Sequence, residues 1–420
     1  MILPFYMAAA HRCYLRDGSD VHLRLTKAWS KGSAVLFATG AVSGTALSFQ
    51  LGLLWPGFMK HAGPIIGMPF SLEGAAFFLE AIFLGLFLYG HGKIPDRWHY
   101  RAGVMVGVCG LASGILVIAA NGWMNSPAGF QWVNGEARDI SPWAATFNRA
   151  WPLQAIHMVV AAAQATGFAA AGIHALGLLR SKSQPASAEF HRAALNIILP
   201  IAVVASLVQP FVGDLSAKAV ADRQPAKFAA LEAHFHSEKD ASLIVGGIPD
   251  EQEKTVRYAI KIPYALSFLA HGDLHAEVLG LDRIPEDEHP PVAVVHFAFQ
   301  IMVGLGTLLM LVSGFWLAAR RFRPAWVESE GFLKLLVLLI PSGFIALEAG
   351  WVVTEVGRQP WIIYKILRTA DAVTPVPGLS VTFAMIVGLY ALLGLTSFMV
   401  LARLYAHELR HSAPLGQEPP

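Results

Sequence analysis

The sequence predicts an all-α integral membrane protein, a helix bundle with eight complete transmembrane helices preceded by a partial first one. Three observations carry this. Of 420 residues, 55% are hydrophobic and only 14% charged, with a mean hydropathy of +0.50, well above a soluble domain. Apolar runs long enough to cross a bilayer, about 20 residues each, recur along the whole chain. Residues 348–361 then place Glu348 and Glu355 on the outgoing turns of one such run, and a carboxylate inside a bilayer needs a partner, a metal or a proton path. The net charge of +2 gives no footprint for a nucleic acid, and the two cysteines, Cys13 and Cys109, form no disulfide framework or thiolate metal site.

The expected spans are 33–55, 68–90, 102–121, 153–179, 193–213, 292–318, 333–354 and 378–402. The opening piece, Met1 to Ala10, is about half a span with no charged leader or cleavage site of a signal peptide, so it reads as the second half of a helix whose beginning is missing. Lys and Arg fall in every second connection: Arg12 to Lys31, Lys93 to Arg101, Arg180 to Arg192, Arg320 to Arg323, and Arg403 with Arg410. By the positive-inside rule these face the cytoplasm, as does the C-terminus. The other side carries a turn around 55–67, a loop at 125–151, the turn after Trp361, and a segment at 214–291 too polar to span. The organisation is therefore 1–213 for the first membrane helices, 214–291 for an extracytoplasmic loop of domain size, 292–410 for the last helices, and a flexible cytoplasmic tail at 411–420.

Polar residues sort by depth at about 1.5 Å per residue. His157, Met302, Glu73 and Glu355 are expected in the outer half of the bilayer, a set of one imidazole, one thioether and several carboxylates that suits haem. A lone membrane His is often a helix–helix hydrogen bond, and a Met is often packing. Glu73 and Glu80 are seven apart and share a helix face, as do Glu348 and Glu355, and paired intramembrane carboxylates are functional by default. His174 and His296 read as structural. Lys227 and Glu232 alone read as a solvated helix pair.

Several motifs occur in order: Pro69-Phe-Ser-Leu-Glu-Gly with Phe77-Phe-Leu-Glu80, Ala120-Asn-Gly-Trp-Met124, Gly247-Ile-Pro-Asp with Ile262-Pro-Tyr-Ala265, and Gly350-Trp-Val-Val-Thr-Glu-Val-Gly-Arg-Gln-Pro-Trp361. Together they resemble subunit I of the bacterial cytochrome bd-type quinol oxidases, over essentially the whole chain and in a nine-helix topology. The resemblance implies a terminal oxidase of the bacterial plasma membrane that takes electrons from quinol at the outer face, reduces dioxygen to water and contributes to the proton-motive force. It implies a low-spin haem b held by His157 and Met302, a high-spin haem b held by Glu355, and haem d or a further haem b at the oxygen site. It places Trp351, Glu348 and Trp361 in the haem pocket and Arg358 on a propionate. It gives Glu73 and Glu80 to proton delivery at the oxygen site. Lys227 and Glu232 match a quinol-binding loop of the short class, and a smaller membrane subunit II is the implied partner.

Three departures stand out. Glu73 and Glu80 are seven apart where the best-known members have eight, a rotation of about 100° on a regular helix. Gln300 stands where those members have Arg, which lowers the expected potential of the low-spin haem. The family's first helix carries a His ligand that this chain does not show, and His11 lies at the wrong end of its helix. The expectation is a misassigned start codon that removed roughly 20 residues; upstream sequence without a Phe-His-bearing apolar run would instead mark a shortened paralogue. Two other classes compete. A secondary transporter would need inverted repeats and broken helices, and no repeat is visible. A haem b electron carrier, or a paralogue that does not reduce oxygen, would leave Glu73, Glu80 and Glu355 unexplained.

Overall fold

The computed structural model describes residues 1–181, 184–374 and 377–410, with side chains through 406 in the last helix; Lys182, the Arg410 side chain and the 411–420 tail lie outside the described residues. A short helix, α1 (Leu3–Asp17), ends on Gly18 in the left-handed conformation, which glycine adopts without a Cβ clash. Then follow α2 (Asp20–Leu54), α3 (Pro56–Tyr89), α4 (Asp96–Asn125), the short α5 (Pro142–Thr146), α6 (Trp151–Arg180), α7 (Pro185–Arg223), two loop helices α8 (Pro225–Leu231) and α9 (Ala265–His271), α10 (Val292–Phe322), α11 (Glu330–Leu338), α12 (Ser342–Val356) and α13 (Leu379–Arg410). Proline opens α3, α5, α7 and α8, where its missing N–H costs nothing.

Among the described residues eight segments are long and apolar enough to cross a membrane, α11 and α12 counting as one, and they coincide with the eight expected spans. They are longer than expected. The turn expected around 55–67 is helical, because α3 starts at Pro56 and carries Pro64 and Pro69 in its interior; membrane helices tolerate interior proline when neighbours satisfy the freed carbonyls. Glu73 therefore lies midway along α3, and its expected level with His157, Met302 and Glu355 is corrected. Likewise α7 runs through Pro200 and Pro210 to Arg223, so the first ten residues of the expected 214–291 segment are helical and its loop proper is 224–291.

Small residues let the helices close up. A methyl on Gly167 of α6 would lie 2.5 Å from the Ala202 Cβ of α7, and one on Gly343 of α12 would lie 2.5 Å from the Ala165 Cα of α6. The central core joins Tyr6, Leu25, Phe168, Ile198, Leu309 and Leu336 from six helices. Helix α13 packs chiefly on α2 through a polar seam: Thr39 and Ser397 share a hydroxyl hydrogen bond of 2.5 Å, and the Tyr390 hydroxyl donates to the Ser43 carbonyl at 3.2 Å.

Four of the five two-stranded antiparallel ribbons lie on one end of the bundle, at 131–138 and within 238–278; the fifth, Trp361–Ile363 with Leu367–Arg368, follows α12 on the same end. The short connections α1–α2, α3–α4, α6–α7 and α10–α11 lie at the other, here called the basic end for the arginines that flank them. A second core under the 224–291 segment gathers Phe228, Leu231, Leu266, Val292 and Val295 and seats that segment on α10 and α12. Gly167→Val forces α6 and α7 apart, and a cost of about 1–3 kcal/mol is expected, read as a lower thermal midpoint of the detergent-solubilised protein.

Candidate functional site

Helix α4 is a ruler for the carboxylates. Ser113 donates to Glu73 Oε1 at 2.8 Å, so Glu73 of α3 faces α4 at mid-depth. Two turns along α3 toward the basic end, Glu80 is 8% exposed, and a methyl on Gly110, one turn from Ser113 on α4, would meet its Oε1 at 2.7 Å; only glycine leaves that carboxylate room. Despite the seven-residue spacing, both glutamates meet the same helix. Toward the opposite end, Asn121 Nδ2 donates to Glu355 Oε1, about 12 Å beyond Ser113 at 1.5 Å per residue.

Glu355 ends α12, and its other oxygen accepts from Arg358 Nη2. The two partners differ in burial: the Arg358 side chain is 1% exposed and the Glu355 side chain 41%. Glu355 thus turns an accessible edge outward while its guanidinium partner is enclosed. Arg358 Nε and Nη1 are buried and have no protein partner. Trp351 shares the Glu355 face of α12 one turn earlier. Glu348 lies on that face too, but opens into an apolar groove of 460 Å³ with Ile301, Phe344, Ile345 and Val352. Trp361 heads the strand after α12, with the Arg368 guanidinium 5.1 Å above its ring.

His157 lies less than two turns into α6, where Gln209 Nε2 of α7 approaches its ring nitrogens at 3.3 and 3.4 Å. Met302 of α10 has its sulfur 3.1 Å from where a methyl on Gly350 of α12 would sit. Helices α6, α7, α10 and α12 pack on one another, so both side chains belong to one cluster of helices. Among the described residues no group of three or more His, Cys, Asp or Glu is gathered to hold a bare metal ion. That donor set, single axial-type groups with unanswered guanidinium donors nearby, fits haem, which brings four ring nitrogens and carboxylates of its own.

Lys227 and Glu232 are both buried, at 4% exposure each, and no ion pair joins them. Lys227 Nζ donates to Asn125 Oδ1 at 2.7 Å and to the Thr354 carbonyl at 3.1 Å. Burial, with Arg358 nearby, pushes its ammonium down to about 7. Burial pushes the Glu232 carboxyl up to about 8, and its Oε2 has no protein partner. Gln300 clamps the loop, accepting from Gly246 N–H at 3.1 Å and donating to the Ile244 carbonyl at 3.0 Å. One turn earlier, His296 bonds the Leu231 carbonyl at 2.8 Å. His174 accepts from Trp29 Nε1 at 3.1 Å and meets His191 Nδ1 at 3.0 Å, while His11 pairs with His99 at 3.3 Å.

Sequence reasoning missed Asn121, Asn125, Gln224 and Ser113. The signal was present for two of them: Asn121 and Asn125 are an i, i+4 amide pair on one face of an apolar helix, the first inside a motif already singled out and the second directly after it.

The whole chain is similar to known proteins. The model of the cytochrome bd terminal oxidase subunit I family matches residues 1–409. A putative cytochrome bd menaquinol oxidase subunit I of Bacillus subtilis is 35% identical over 403 residues, covering 95% of this chain and 90% of that protein. A cytochrome bd ubiquinol oxidase subunit 1 of the same organism is 30% identical, covering 99% and 92%. The solved bd oxidase from Geobacillus thermodenitrificans superposes with a TM-score of 0.90 at 37% identity, covering 97% of this chain and 93% of that one.

Glu232 has a consequence for stability. Unfolded, it releases its proton near 4.5; folded, it holds it to about 8. Between these values the folded state binds more protons, so this group makes stability fall as pH rises, by at most about 1.4 kcal/mol per pH unit. Glu232→Gln is expected to flatten the thermal-midpoint profile across that window, measured on the solubilised protein beside the parent.

Proposed function

Because the chain belongs to the cytochrome bd terminal oxidase subunit I family, and so is the haem-bearing, multi-pass membrane subunit of a quinol oxidase that reduces dioxygen, we propose how its own residues divide that work. His157 and Met302 hold a low-spin haem b, Glu355 holds a high-spin haem b, and the oxygen site takes haem d or a further haem b. These groups, when bound, supply one-electron transfer and the iron that takes dioxygen. The single observation that carries the reading is the Arg358–Glu355 pair: two buried guanidinium nitrogens without a protein partner, beside a carboxylate whose side chain is 41% exposed. Arg358 suits a propionate because its charge persists and its donors form a fork. Trp351, Glu348 and Trp361 line the pocket.

Oxidation of one quinol yields quinone, two protons and two electrons; reduction of one dioxygen to two waters takes four of each. Glu232, buried with a free oxygen, accepts a quinol proton as the electron leaves, and Lys227 places a donor at the same loop helix. Glu73 and Glu80 supply protons to the oxygen site. Glu80 is the nearer to the basic end, which the positive-inside pattern makes cytoplasmic. Release from quinol on the outer side and uptake from the inner side build a proton-motive force. In this reading the chain lies in a bacterial plasma membrane with the 224–291 segment outside and the C-terminus inside, beside a smaller membrane subunit II and annular lipid.

Reduced-minus-oxidised spectra of the purified complex test the ligand assignment. His157→Ala and Met302→Ala are expected to abolish the low-spin haem b band, and a retained band in both refutes the pair as ligands. Quinol oxidation is expected to rise with pH toward about 8 as Glu232 becomes a free base, and Glu232→Gln to lose that limb with a fall of about 100-fold, followed by quinol-dependent oxygen consumption.

A further inference from the structure

The Glu355 carboxylate is the end of a chain of side-chain hydrogen bonds that starts on the loop helix. Lys227 Nζ donates to Asn125 Oδ1 at 2.7 Å, and Gln224 Nε2 reaches the same oxygen at 3.3 Å. Asn125 Nδ2 donates to Asn121 Oδ1 at 3.1 Å and to the Asn121 carbonyl at 3.0 Å. Asn121 Nδ2 donates to Glu355 Oε1, and Arg358 closes the other oxygen.

The direction of this chain is forced. An ammonium can only donate, so Asn125 must present its oxygen to Lys227 and its nitrogen to Asn121. Asn121 must then present its oxygen to Asn125 and its nitrogen to Glu355, which when ionised can only accept. Neither amide can turn over without setting two donors or two acceptors face to face. Asn121 and Asn125 occupy one face of α4 at adjacent turns, so the backbone holds their spacing. Lys227 also bonds the Thr354 carbonyl at 3.1 Å, and a methyl on Gly357 would lie 3.0 Å from its Cγ. The loop helix therefore grips the last turn of α12 both directly and through the amides.

We propose that Asn121 is a positioning residue for Glu355, and that the Lys227–Asn125–Asn121 chain makes the seat of the loop helix and the aim of that carboxylate one unit. The inference rests on the reading of Glu355 as a haem ligand. It adds that the geometry of the high-spin haem depends on residues that touch no haem, and that displacing Lys227 on the quinol side is felt there.

The test uses the complete purified oxidase carrying Asn121→Leu, Asn121→Ser, Asn125→Leu or Lys227→Met, beside Glu355→Ala. High-spin haem b absorbance and haem content per protein are measured, together with KM for quinol; the low-spin haem b band reports folding in every variant. Asn121→Leu is expected to lower high-spin haem retention about 10-fold or more while leaving the low-spin band and KM unchanged. Asn125→Leu and Lys227→Met shift the same signal by less. A parent-like high-spin signal in Asn121→Leu, where Glu355→Ala loses it, overturns the positioning role and leaves the ligand reading standing. Retention of the signal in Glu355→Ala overturns the ligand reading and this inference with it. Should Asn121→Leu lose the low-spin band too, Asn121→Ser and Lys227→Met decide, and unchanged high-spin spectra in both overturn the proposal.

Discussion

A medium without water offers no hydrogen bonds, so a carboxylate on a spanning helix must find its answer inside the protein. In this chain two such groups find it on one helix, and a third packs against the same helix. Glu73 takes the Ser113 hydroxyl, Glu80 takes the space opened by Gly110, and Glu355 takes the Asn121 amide. Helix α4 is thereby fixed in rotation as well as position, since turning it would strip partners from α3 and α12 together. The glycine and the two polar residues fall within three turns of an otherwise apolar helix, and the rest of the site is arranged around that face.

The loop side obeys the same constraint with different chemistry. Lys227 and Glu232, only five residues apart, are both enclosed, yet they do not neutralise one another. One is absorbed into amides and a carbonyl; the other keeps an unanswered oxygen. An ion pair between them would be the cheaper arrangement for stability. Keeping them separate leaves on the loop a buried carboxyl whose proton is held to about 8 and whose Oε2 has no protein partner.

Much of the bundle was legible in the sequence because a span is a matter of length and hydropathy, and both are local. The upper part of α3 was not, because Pro64, Pro69, Lys60 and His61 carry the marks of a turn in water; the bilayer and neighbouring helices override those marks. The candidate site was legible as a set of residues and illegible as a set of partners. Periodicity shows that Glu73 and Glu80 share a face, but not that α4 covers it. Lys227 is the sharpest case: five residues from a glutamate in a polar loop, it reads as solvent-exposed, and the packing of α8 on α7 and α10, with Asn125 and Thr354 at its ammonium, encloses it. Glu348 shows the reverse, a group equal to Glu355 by spacing that faces an apolar groove instead of a polar partner.

The seam between α13 and α2 bears on how the molecule is built. Every proposed site residue lies at or before Trp361, and among the described residues α13 packs chiefly on α2, with hydroxyl hydrogen bonds along the seam. Chains assemble from the N-terminus as they are synthesised. The proposed site residues are accordingly all made before α13, which adds to the bundle at the face of α2 and away from them.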